Sequence, residues 1–238
     1  MGRPRSAAHM RALVSALALL APAALHGQTA GMVVEKLPPP TGLAPYFTAA
    51  SADPAAPDAD GFLRRWLLLE PMVKPNRTNT GFTPSYVREV LAPGAFPGHF
   101  DAVPRDGESA GTLRWHALDS SLFDMKLFYL AQGLGKPTYG VIFWAVTVVN
   151  TPREIRGVRL AVGSNSASRW WLNGSEVAGL YGDRRMAMDD VLSRPITLRK
   201  GRNVLRGAVI NGPGLSDFCA RFVDENGKPI RDITIDVN

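Results

Sequence analysis

Beyond residue 60 the chain is a series of short apolar runs divided by turn residues, the texture of strands rather than of long helices. Residues 139–149 (YGVIFWAVTVV) are apolar at nearly every position, which predicts a central strand buried on both faces. Val158, Leu160 and Val162 alternate with Arg159, Ala161 and Gly163, the pattern of a half-buried strand. Residues 168–172 then run into Asn173-Gly174 and out through 176–180. Asn-Gly between apolar runs predicts a two-residue hairpin, because both residues tolerate positive φ in the favoured turn. Residues 196–198 and 203–210, divided by Lys200-Gly201, predict a second hairpin. Residues 62–70, 112–118 and 126–131 also read as strands, and 218–223 with 230–237 close the chain around Glu225-Asn226-Gly227. Helical spacing is confined to 85–91 and 183–192, both short. Strands at roughly 8–12-residue intervals predict an all-β, two-sheet sandwich with a few short helices, spanning residues 61–238.

The first sixty residues have a different texture. Arg3, Arg5 and Arg11 precede an apolar run at 12–25, followed by His26, Gly27, Gln28, Thr29 and Ala30. A basic start, a short apolar centre and small or polar residues after it predict a secretory signal peptide over residues 1–28, cleaved between Gly27 and Ala30. The run is shorter than the roughly 20 apolar residues that span a bilayer, and no later run is longer, so no stable membrane insertion is expected. The mature protein is therefore expected to be exported, to the periplasm or beyond. Residues 29–60, rich in Pro and Ala, read as an extended lead-in.

Composition narrows the function classes. The 238 residues include 23 Gly and 19 Pro, an excess that fits many turns. The formal charge of +6 falls to +3 once the three signal-region arginines are set aside, an ordinary surface charge that does not imply a nucleic-acid partner. The single cysteine, Cys219, excludes an internal disulfide and a cysteine-based zinc site, and its setting between Phe218 and Ala220 reads as a small buried hydrophobe.

The C-terminal half carries a recognisable order of segments: VRLAVGS at 158–164, WLNG at 171–174, ITLRKGRN at 196–203, FCARFVD at 218–224 and Asn226-Gly227. This order resembles the galactose-binding-like jelly roll, in which similar segments recur in modules beside carbohydrate-active enzymes, and 62–71 (FLRRWLLLEP) is similar to the opening of such modules. GSNSASRWW at 163–171, GDRRM at 182–186 and NGPGLSDFC at 211–219 further resemble a group of short exported bacterial proteins named acetylxylan esterase. The resemblance implies a β-sandwich, a carbohydrate ligand and a carbohydrate-active enzyme as partner. Where many family members have Asp-Asp-Gly after the Gly-Ser, this chain has Asn165-Ser166-Ala167, so any contact those aspartates make is not carried over.

Three readings follow: a carbohydrate-binding module, an esterase that deacetylates polysaccharide, and a structural module that docks to a larger enzyme. An esterase needs a nucleophile and a base. Outside the signal region only His99 and His116 can serve as base, with Ser164, Ser166 or Ser216 as nucleophile, and no G-x-S-x-G elbow occurs. Carboxylates for acid–base work would come from Asp183, Asp189, Asp190, Asp217 or Glu176. No cofactor is implied; a structural calcium on Asp183, Asp189 or Asp190 is compatible with the oxygen ligands that ion takes, although no loop has the spacing of a calcium motif. The favoured ligand-binding set is Arg169, Trp171, Asn211, Ser216 and Asp217. On a strand Trp170 and Leu172 share one face, while Arg169, Trp171 and Asn173 share the other, so Trp171 is the candidate stacking platform. Asn211, Ser216 and Asp217 flank Gly212-Pro213-Gly214, whose glycines allow close backbone approach to a ligand.

Overall fold

The computed structural model describes residues 42–74, 81–212 and 214–237; the expected signal peptide and the part of the lead-in before residue 42 lie outside the described residues. In chain order the strands are β1 (Phe47–Ala49), β2 (Arg65–Leu69), β3 (Met72–Val73), β4 (Ser109–Ala110), β5 (Leu113–Ser120), β6 (Val141–Thr151) and β7 (Ile155–Ser164). They continue as β8 (Ala167–Leu172), β9 (Ser175–Leu180), β10 (Val191–Leu192), β11 (Ile196–Leu198), β12 (Gly201–Asn211), β13 (Phe218–Val223) and β14 (Thr234–Asp236). Helix α1 (Pro84–Val90) falls between β3 and β4, and α2 (Leu127–Gly133) between β5 and β6.

Among the described residues the larger sheet runs β1-β5-β2-β6-β12-β8-β9, with β3 and β14 also pairing β6 and β4 pairing β5. In the smaller sheet β10, β11 and β13 all pair with β7. The expected all-β sandwich is what forms. As predicted, β6 is central and buried on both faces, and it pairs with β12 in continuous antiparallel register from Thr151↔Gly201 to Val141↔Asn211.

Alternation along the large sheet sorts its side chains into two cores. Trp66, Leu68, Phe143, Trp170 and Val209 face inward and meet Leu160, Val162, Phe218 and Phe222 of the small sheet. The ring of Phe218 packs 5.0 Å from Trp66 and 5.1 Å from Trp170, edge to face, so three aromatics tie the sheets together. Gly207 makes room for this: a Cβ there would lie 2.3 Å from Cζ3 of Trp170. The outer face carries a second core, in which Leu67, Trp144, Val146, Trp171 and Ile210 are covered by Val87 and Val90 of α1 and by Phe96. Helix α1 starts at Pro84, with Thr83 Oγ1 accepting from the Tyr86 N–H as its cap.

The Asn173-Gly174 hairpin forms between β8 and β9, with φ of 51° and 83° at the two turn residues. The other expected hairpin does not form, because β11 pairs with β7 in the small sheet while β12 joins the large one. Residues expected as a strand at 126–131 are helical. Leu127, Leu130 and Ala131 are its buried residues, an i, i+3, i+4 set that a short apolar run also satisfies. Residues 183–190 form no helix; Met186 turns inward against Cys219 and Phe62, and Asp189 takes a positive φ of 54°. The described part of the expected lead-in is extended and is packed into the fold. Strand β1 pairs with β5, Ala55 bridges to Ile235, and Tyr46 and Phe47 are buried. Among the described residues no helix is long and apolar enough to cross a membrane.

Candidate functional site

Several connections meet at one end of the sandwich. The chain crosses from β7 to β8 at Asn165-Ser166, where Ser166 takes a φ of 53°. The loop from β12 to β13 lies beside it, and the Asn165 N–H donates to the Asp217 carbonyl at 3.0 Å. The approach to α2 completes the group: the Phe128 N–H donates to the Ser216 carbonyl at 3.0 Å, and the Met125 N–H to the Phe218 carbonyl at 2.7 Å. Asn211 is buried at the end of β12, and its Nδ2 donates to the Thr138 carbonyl at 2.6 Å.

At the centre is a buried charge cluster. Lys126 Nζ lies 2.8 Å from Asp124 Oδ2 and 3.1 Å from Asp217 Oδ2. Asp124 is 1% exposed and Asp217 6%. One ammonium thus serves two carboxylates. Burial pushes the Asp217 carboxyl up to about 6; the Lys126 charge pulls against this and the Asp124 charge adds to it. Burial works to lower Lys126, and the two carboxylates outweigh it, so its ammonium is held above the usual value. Asp124 Oδ1, Asp217 Oδ1, Ser216 Oγ and Asn165 Oδ1 are buried with no hydrogen-bond partner among the described residues. In the same loop Gly214 and Leu215 face solvent.

A row of rings runs beside the cluster. Tyr46 stacks on Tyr129 at 4.2 Å, Tyr129 meets Phe128 edge to face at 5.5 Å, and Phe128 meets Tyr139 at 5.7 Å. The row goes from the core to the surface, since Tyr46 is buried and Tyr139 is 54% exposed. Burial and the contact with Tyr129 push the Tyr46 phenol up to about 12, so it remains neutral at physiological pH.

The structure separates the five residues singled out from the sequence. Asn211, Ser216 and Asp217 come together in the loop end. Arg169 and Trp171 do not join them, because they project from the opposite, outer face of the large sheet. Trp171 is 2% exposed, packed against Trp144 at 5.8 Å and Phe100 at 5.5 Å, and presents no open stacking face. Arg169 lies over the Trp171 ring, binds Glu176 through both Nε and Nη2, and donates from Nη1 to the carbonyls of Arg88 and Leu91. It therefore caps the C-terminal end of α1, where carbonyls lack helical partners. Asp124, Lys126, Phe128, Tyr129 and Tyr139 were not among the sequence-predicted site residues. The signal for most of them was the helical spacing of 127, 130 and 131, which sets Lys126 at a helix start rather than on a strand.

Several of the residues that an esterase or a calcium site would use have partners of their own. His116 Nε2 is 3.4 Å from Glu70 Oε1, and Lys136 Nζ is 2.9 Å from Glu70 Oε2, so this histidine faces a carboxylate already paired with a lysine. Burial would raise the Glu70 carboxyl; hydrogen bonds and charge from Lys136 and His116 outweigh it and leave the group below its ordinary value. Ser164 Oγ is 2.8 Å from Ser168 Oγ, to which the Trp170 indole donates, a chain that fixes the central tryptophan. Of the acids considered for calcium, Asp189 pairs with Arg221 and Asp190 with Arg184. Among the described residues no group of three or more His, Cys, Asp and Glu side chains could hold a metal ion. Elsewhere, a surface groove of about 520 Å³ is lined by Asn150, Thr151, Pro152 and residues 231–234, and shares no residue with the loop end.

No protein-family model and no curated protein matches the sequence. Among solved structures the chain is similar to a PA14 sugar-binding domain from an RTX adhesin, at 13% identity and a TM-score of 0.40, over 72% of this chain and 96% of that one. It is also similar to the PA14 domain of the antifreeze protein MpAFP, at 11% identity and a TM-score of 0.39, over 79% of this chain and 95% of that one. A third is a β-glucosidase from Kluyveromyces marxianus in complex with glucose, at 14% identity and a TM-score of 0.31, over 70% of this chain and 16% of that one.

Proposed function

We propose that this chain is an exported protein that binds carbohydrate at the loop end formed by residues 124–129, 139, 165, 211, 212 and 214–217. One observation carries the reading: the exposed Tyr139 ring adjoins Phe128 at 5.7 Å, next to polar groups held in place by backbone hydrogen bonds. Sugar recognition needs this combination. A flat ring covers the apolar face of a pyranose, and fixed polar groups meet its hydroxyls. The resemblance of the C-terminal segments to galactose-binding-like modules supports the same ligand class, and the basic-then-apolar start of the sequence supports export.

The test is a glycan array on the chain beginning at residue 29, followed by calorimetric titration of whatever oligosaccharide binds. Tyr139→Ala should weaken binding about tenfold, the loss of one stacking contact of roughly 1–1.5 kcal/mol, with an unchanged thermal midpoint because the ring is exposed. Binding unaffected by Tyr139→Ala, or no glycan retained at all, overturns the proposal. Export is checked separately by N-terminal sequencing of the protein recovered from a native-type host. The sequence should begin between Gln28 and Gly31, and a retained Met1 on a cytoplasmic product rejects it.

A further inference from the structure

The buried atoms left without partners at the loop end share one property. Asp124 Oδ1, Asp217 Oδ1 and Asn165 Oδ1 are acceptors, and the Ser216 hydroxyl can accept as well. Ser216 is fully buried, and Asp124 and Asp217 are more than nine-tenths buried. Among the described residues their only charged donor is Lys126, and its ammonium is already divided between the two carboxylates. With both acids ionised the trio carries one excess negative charge inside the protein. A buried charge without a partner is costly, and the cost is removed by a cation that also donates hydrogen bonds. An anionic ligand would bring a second negative charge against the same carboxylates.

We propose that the loop end selects amino sugars: the ligand's ammonium pairs with Asp124 and Asp217 beside Lys126, and its hydroxyls donate to Ser216 and Asn165. This rests on the carbohydrate reading above and adds the charge of the ligand to it. The Lys126 side chain is 22% exposed, so the cluster is open to solvent on the lysine side. Among the described residues the Tyr46 phenol, raised to about 12, also feels the Asp217 charge, and Tyr129 of α2 stacks on that phenol.

The experiment compares four probes on the chain from residue 29 by titration calorimetry at pH 6.5, where glucosamine amines carry much of their charge and Asp217 is mostly ionised: oligomers of glucosamine, of N-acetylglucosamine, of glucose and of glucuronate. Glucosamine oligomers should bind about tenfold or more tighter than the acetylated and neutral chains, the scale of one charge-assisted hydrogen bond, with glucuronate weakest. The preference should shrink at pH 5, where Asp217 takes up a proton. Asp124→Asn and Asp217→Asn should each remove the preference, with near-ultraviolet circular dichroism and the thermal midpoint showing that the variants are folded. Equal affinity for glucosamine and glucose oligomers, or a preference that survives both variants, overturns this inference and leaves the carbohydrate reading standing. Failure of all four probes, together with an empty glycan array, overturns the carbohydrate reading itself.

Discussion

Lys126 Nζ sits 3.1 Å from Asp217 Oδ2, joining the start of α2 to the loop before β13 across 91 residues of chain. The pair is not isolated, because Asp124 takes the same ammonium at 2.8 Å. An ion pair shared three ways and mostly buried is sensitive to proton uptake, and the direction can be worked out.

The Asp217 carboxyl stands at about 6 in the fold, above its ordinary value of 3.8. An acid raised by folding contributes stability that is full below its unfolded value and lost as pH rises through its folded value. Asp217→Asn removes that loss. Relative to the parent, the variant should therefore gain stability as pH rises from about 4 to about 7. Urea denaturation of both proteins at pH 4 and pH 7.5 measures this, and a stability difference that does not change with pH counts against the assignment.

Arg169 and Trp171 are expected to be structural. Arg169→Met leaves the carbonyls of Arg88 and Leu91 and the Glu176 carboxylate without their donor and should lower stability by about 1–3 kcal/mol. Trp171→Ala opens a cavity among Trp144 and Phe100 and should cost about 3–5 kcal/mol. Neither should change glycan affinity measured below the melting temperature. A specific loss of binding in a fully folded Arg169→Met protein would return the outer face to consideration as a site.

Gly207→Ala tests the packing between the sheets. The new methyl would meet the Trp170 ring at 2.3 Å, in a strand with neighbours on both sides. Overpacking of this kind typically costs about 1–3 kcal/mol, readable as a lowered thermal midpoint with near-ultraviolet circular dichroism altered at the tryptophan bands. An unchanged midpoint would mean that Trp170 moves freely.

The Cys219 thiol is 1% exposed, and burial pushes it up to about 12, with the Asp124 charge adding to the effect. It should be inert to a disulfide reagent at pH 8 in the native protein and react stoichiometrically in urea, since the thiolate is the reactive form. Rapid native-state labelling would contradict the burial.

Local pattern was enough for the long apolar run and for the Asn-Gly turn, and it misassigned the short runs at 126–131 and 183–192. The apolar run at 139–149 can be buried only between two layers, and β6 is so buried. Asn173-Gly174 is one of the few pairs that accepts two positive φ angles in succession, and the β8–β9 hairpin follows from it. Alternation also sorted Trp170 and Leu172 from Arg169 and Trp171 correctly. What alternation does not contain is what covers each face. The side opposite Trp170 is closed by α1 and Phe96, segments more than sixty residues earlier in the chain, so Trp171 is core where the sequence pointed to a platform. The same limit explains the failed hairpin at 196–210, because a turn can join two strands without deciding that they pair, and burial sent β11 and β12 to different sheets. It explains the loop end as well. Lys126 and Tyr139 are unremarkable in their own segments, and they join Asp217, which the loop sequence did single out, only when α2 packs against the β12–β13 loop. Short-range sterics and periodicity are written residue by residue, whereas the meeting of distant charges is set by the lowest-energy burial of the whole chain, which only the folded molecule displays.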